Sequence, residues 1–77
     1  MSEQIQYPMI TLAAARVNAG FSQKSAADEL DITKETLSNY ENGKSVPSWD
    51  MVKKIEALYK FPADFIIFGN QLRFKRM

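Results

Sequence analysis

Five residues punctuate this chain so regularly that they decide what it can become: Gly20, Ser22, Thr33, Gly43 and Ser48. Ser and Thr side chains accept a hydrogen bond from the free N–H groups at a helix start, and glycine takes the left-handed conformation that closes a helix end. At these intervals they cut the chain into helices of only two or three turns, over 10–19, 23–30, 34–42 and 49–59. The apolar residues agree with helical spacing: Leu12, Ala15 and Ala19 in the first helix, Ala26, Ala27 and Leu30 in the second, Leu37 and Tyr40 in the third. In the fourth, Trp49, Val52, Ile55 and Tyr59 repeat helically, with Met51 and Leu58 widening the face. Pro62 suits the first turn of a fifth helix ending near Gly69, with Phe65, Ile66 and Phe68 along it. No segment alternates as a strand. The expected fold is a compact all-α, five-helix domain over 10–69, with an N-terminal arm (1–9) and a basic C-terminal tail (70–77).

Composition narrows the function. Histidine and cysteine are both absent, which removes the usual general base, the centre of the common catalytic triads, any disulfide and any thiolate metal site. Ser25, Ser38 and Tyr40 have no visible activating base, so no enzyme activity is expected. The acids Asp28, Glu29 and Asp31 lack a recognised coordination spacing and read as a solvated helix end, so neither a metal nor a cofactor is assigned. The longest apolar runs, 12–15 and 65–68, fall far short of the roughly 20 residues that cross a bilayer. Residues 1–4 lack the positive start of a signal peptide, and a cytoplasmic location is expected. The net charge of +1 hides an asymmetry. Residues 1–69 hold seven basic and nine acidic side chains, whereas Arg73, Lys75 and Arg76 in the tail face no acid.

Two short helices separated by three residues, the second opening at a Thr cap, match a helix-turn-helix, in which the second helix lies in the DNA major groove. Projected at 100° per residue, the segment 34–42 turns Leu37 and Tyr40 inward and Glu35, Ser38, Asn39 and Asn42 outward. Compact donors and acceptors suit the reading of base edges, and Asn39 is best placed for a bidentate contact with adenine. The same polar face also fits any solvated surface helix.

A pair of inward-pointing charges adds a constraint. Arg16 follows Leu12 on the apolar face of the first helix, and Glu41 adjoins Leu37 and Tyr40 on the inner side of the third. Burying either alone is costly, so a guanidinium forked onto a carboxylate is expected, locking the first helix to the third.

Arg16 and Gly20, then FSQKSAADEL, then ITKETLSNYENGKSVPS, then an amphipathic helix and FPADFIIFG resemble the lambda-repressor and Cro-like (XRE-type) helix-turn-helix family over about residues 10–69. The resemblance implies a third helix that reads an operator and an Arg16–Glu41 pair. It further implies that Gln23 bonds a phosphate and braces the base-reading side chains, and that Ser22 and Asn42 contact the backbone. Lys34, Glu35 and Asn39 match positions that meet base edges, with Thr36 and Ser38 beside them and Lys44 near the phosphates. Three departures stand out. Asp31 replaces the turn glycine, at a small penalty. Glu35 either accepts from a cytosine amino group or is a solvated acid. Val46 and Pro47 lack the basic residues many relatives carry, which weakens nonspecific binding.

The aromatic residues Trp49, Tyr59, Phe61, Phe65 and Phe68 read as core. Phe65, Ile66, Ile67 and Phe68 exceed what one face of a short helix can bury, and the surplus suggests a homodimer contact through the C-terminal helix, the alternative being a self-contained core with one leftover side chain. The expected function is a sequence-specific, repressor- or Cro-like transcriptional regulator, phage-like in type, bound as a dimer to a double-stranded operator. The alternative is a protein-interaction module, an antitoxin or antirepressor, which the acidic body and Glu35 favour. The basic tail is read as a mobile solvated segment, with the DNA backbone or a partner as alternatives.

Overall fold

The computed structural model describes residues 8–68. The expected basic tail, most of the N-terminal arm and Gly69 lie outside them. Four α-helices follow one another: α1 (Leu12–Asn18), α2 (Gln23–Leu30), α3 (Lys34–Asn42) and α4 (Trp49–Tyr59). Each begins at a hydroxyl cap, with Thr11, Ser22, Thr33 and Ser48 accepting from the N–H groups of Ala14, Ser25, Thr36 and Met51. At Ser22 the bond is reciprocated, because Ser25 Oγ accepts from the Ser22 N–H at 2.9 Å. The first helix therefore starts at Leu12 rather than Ile10, since the Thr11 side chain is the cap.

The first three helices end alike. The N–H groups of Phe21, Ile32 and Lys44 reach back to the carbonyls of Arg16, Ala27 and Asn39 at 3.1, 3.0 and 2.9 Å. Each return passes through a left-handed residue: Gly20 (φ 90°), Asp31 (φ 62°) and Gly43 (φ 80°). The sharp turn forces positive φ, and Asp31 adopts it despite its Cβ. The fourth helix closes on a second non-glycine, Lys60, with φ 56°.

Among the described residues there is no fifth α-helix. After Pro62 a single 3-10 turn, Ala63–Phe65, leads into a two-residue strand, β2 (Ile66–Ile67). It runs parallel to β1 (Ile10–Thr11), with Ile10 opposite Ile66 and Thr11 opposite Ile67. Adjacent β-branched isoleucines favour extended backbone, and pairing with β1 gives their peptide groups partners that a one-turn helix lacks. The expectation of a strand-free chain is corrected at the same point. So is the C-terminal helix expected over Phe65, Ile66, Ile67 and Phe68: this turn and strand take its place, Ile66 is buried in the chain's own core, and Phe68 packs against it. Glu56 ties the turn back to α4 by accepting from the Ala63 N–H at 2.9 Å.

The core contains Leu12 and Ala15 of α1, Ala26, Ala27 and Leu30 of α2, Leu37 of α3, Ile55 and Tyr59 of α4, and Ile66 of β2. Small alanines on α2 allow close approach of its neighbours, so this helix sits at the centre of the packing. Trp49 is not core, being 71% exposed. It is the first residue of α4, and helical side chains lean toward the N-terminus, which carries the ring past the end of the core. There Lys53 Nζ lies over it at 5.8 Å from the ring centre. Among the described residues no helix is long and apolar enough to cross a membrane.

Candidate nucleic-acid interface

Burying Leu37, with Tyr40 and Glu41 half-buried beside it, leaves the opposite side of α3 to solvent. Lys34, Ser38 and Asn42 recur every four residues along it, with Glu35 and Asn39 alongside. Lys34, Glu35, Asn42 and, just beyond the helix, Lys44 are exposed, while Thr36, Ser38 and Asn39 are half-buried. Three of these residues are engaged locally. Thr33 Oγ1 donates to Thr36 Oγ1 at 2.9 Å, and Asn42 Nδ2 donates to Ser38 Oγ at 3.3 Å. The carboxamide of Asn39 makes no hydrogen bond among the described residues. The backbone carbonyl of the same residue receives the Lys44 N–H and thereby fixes where the loop leaves the helix.

The inner side of α3 is held by an ionic knot. Arg16 Nε donates to Glu41 Oε2 at 2.7 Å and Arg16 Nη2 to Glu41 Oε1 at 3.3 Å. The predicted fork is present. Arg16 Nη1 donates to the Phe21 carbonyl at 3.0 Å, so the guanidinium also staples the α1–α2 corner. Gln23 Nε2 then donates to Glu41 Oε1 at 2.9 Å. The Glu41 side chain is 5% exposed and the Arg16 side chain 14%. A carboxylate this enclosed is tolerable because three donors and a formal positive charge surround it.

Tyr59 abuts this knot. It is 4% exposed, and its hydroxyl has no hydrogen-bond partner among the described residues. Its ring packs at 6.0 Å from that of Phe21. Burial, then the negative charge of Glu41, push its pKa up to about 12, with Arg16 opposing. Charging the phenol would place a second anion in a dry site already holding one.

Helical projection pointed to the α3 strip, and the family resemblance to Ser22 and Gln23. The structure sets Ser22 and Gln23 at the start of α2, exposed and half-buried respectively, with Gln23 beside the last turn of α3. Its bond to Glu41 was not foreseen from the sequence, nor was the orphaned Tyr59 hydroxyl. No sequence signal marks either one, since both depend on how α2 and α4 cross α3. Among the described residues no group of three or more acids is arranged to hold a metal.

Comparison with known proteins agrees with this geometry. The helix-turn-helix family model matches residues 12–66. The chain is 39% identical over 56 residues to the HTH-type transcriptional regulator ImmR of Bacillus subtilis (strain 168), covering 73% of this chain and 44% of that protein. It is 32% identical over 63 residues to the SPbeta prophage-derived uncharacterized HTH-type transcriptional regulator YonR of the same organism, covering 82% of this chain and 58% of that one. The chain thus spans about half the length of these curated relatives.

Proposed function

This chain belongs to the helix-turn-helix family, and on that premise we propose that it is a sequence-specific DNA-binding transcriptional regulator of the repressor or Cro type. It sets α3 in the major groove of an operator, performs no chemistry of its own and works in the cytoplasm. The observation that carries this reading is the solvent-facing strip of α3, where Lys34, Ser38, Asn39 and Asn42 stand clear of the core while Arg16 and Glu41 fix the helix from behind. A rigidly held helix with short polar groups outward meets the geometric need of direct readout. The names of ImmR and YonR, both transcriptional regulators, point the same way.

In this reading Lys34, Glu35 and Asn39 reach base edges, flanked by Thr36 and Ser38. Ser22, Gln23, Asn42 and Lys44 address the phosphates. Lys34 and Lys44 are the exposed cations nearest the strip, so affinity falls steeply with salt. Two copies on an operator place their reading helices about 34 Å apart.

The test is selection of bound duplexes from a random pool at fixed ionic strength. Asn39→Ala relaxes preference at one base position by about 1–3 kcal/mol, whereas Lys44→Ala flattens the salt dependence. A pool that emerges unenriched rejects the reading. The second reading, a protein-interaction module of antitoxin or antirepressor type, is favoured by one feature: Glu35 is an exposed acid in the first turn of α3, where phosphate is expected. Tight association with a protein partner that ignores substitutions at Lys34 and Asn39 supports that alternative.

A further inference from the structure

The DNA-facing polarity of Gln23 is set from inside the molecule. Glu41 Oε1 accepts from Gln23 Nε2 at 2.9 Å while also receiving Arg16 Nη2 at 3.3 Å, and the Glu41 side chain is almost fully enclosed. An ionised carboxylate has only acceptors. The reverse amide orientation presents Gln23 Oε1 to Glu41 Oε1, two acceptors in contact at a site with little water to separate them. The carboxamide is therefore locked with its NH2 group inward. One Nε2 proton is consumed by Glu41, and the second is not used by any hydrogen bond among the described residues. Gln23 is the first residue of α2, half-buried, next to the exposed cap Ser22.

Resting on the DNA-binding reading above, the geometry points to Glu41 as a positioning residue for the DNA contact. Its carboxylate fixes the Gln23 amide so that one Nε2 proton stays on Glu41 in the complex while the other donates to a backbone phosphate. This gives Glu41 a role beyond pairing with Arg16. A side chain oriented before binding loses less rotamer freedom when the phosphate arrives. The phosphate contact and the helix-locking ion pair share one carboxylate, so α3 and the phosphate anchor keep a fixed register.

The test is a double-mutant cycle on a mixed-sequence duplex at about 50 mM salt, where the electrostatic contacts dominate binding. Gln23→Ala and Glu41→Gln each weaken binding roughly three- to tenfold, the worth of one hydrogen bond. The double variant is no weaker than the worse single, because both changes remove the same contact. Losses that multiply overturn the proposal. Glu41→Gln also removes the partner charge of Arg16, so the wild-type protein supplies an independent readout from the side-chain amide protons of Gln23 by NMR. On adding DNA, the proximity of these protons to the Glu41 Hγ protons, read from their nuclear Overhauser contacts, persists. Its loss shows that Gln23 leaves Glu41 and overturns the proposal alone. A wild-type protein that does not bind the duplex removes the DNA reading itself.

Discussion

Tyr59 is where burial and charge conflict most directly. A hydroxyl without a partner in a dry site is a net cost, about 1–3 kcal/mol for the unsatisfied group. Tyr59→Phe keeps the ring against Phe21 and removes the orphan, so stability in urea stays level or rises by up to about 1 kcal/mol. The same residue sets an alkaline limit. Its folded pKa of about 12 lies above the ordinary tyrosine value of 10.0, so the unfolded chain releases this proton first. Stability is fully present below pH 10 and falls as pH climbs from about 10 to 12, by roughly 2 kcal/mol. In denaturation curves across that window, Tyr59→Phe removes this component of the decline. An undiminished fall in the variant assigns it to other groups. At this scale the sequence disclosed the Arg16–Glu41 fork, because each charge occupied an apolar helical face. It could not disclose Gln23 as the third donor, since a surface amide carries no pattern that names its partner. Trp49 misled for a related reason: its helical spacing was right, but its place in the first turn put it outside the core.

The helices were legible because their ends are chemically marked. Thr33, Ser22 and Ser48 cap as their residue types require, and Gly20 and Gly43 supply positive φ. The two strands were not legible, since a pair of residues is too short to show alternation, and Pro62 ahead of an apolar run reads equally well as the start of a short helix. Lys60 ends α4 in the left-handed region, with φ 56°. That conformation costs an ordinary residue about 1–2 kcal/mol, part of which glycine returns as unfolded-chain entropy. Lys60→Gly accordingly raises stability by about 0.5–1 kcal/mol, and a thermal melt several degrees higher is the sign to look for. An unchanged or lower melting temperature indicates that the Lys60 side chain contributes more than its backbone strain costs.

For the molecule as a whole, the core is small and shared by all four α-helices and β2, so damage does not stay local. Leu37 is fully enclosed, on the helix whose other side is the candidate interface. Leu37→Ala costs about 2–5 kcal/mol. Folded proteins carry only about 0.05–0.15 kcal/mol per residue. The variant is therefore largely unfolded at 37 °C by circular dichroism, and DNA retention disappears with the helical signal. Retained ellipticity at that temperature shows that the core tolerates the loss of the Leu37 side chain. The all-helical class was readable from spacing and caps. The closure of the molecule was not, because it joins Ile10 to Ile66 across almost the whole described chain.

That closure determines how the domain responds to tension. Since β1 and β2 run parallel, the polypeptide enters at one end of the ribbon and departs from the other. A pull exerted through the flanking chain drags the strands lengthwise past each other. The hydrogen bonds between them are strained together in shear rather than opened one after another like a zipper. Force arriving from either neighbouring segment therefore meets the clasp before it reaches the helices.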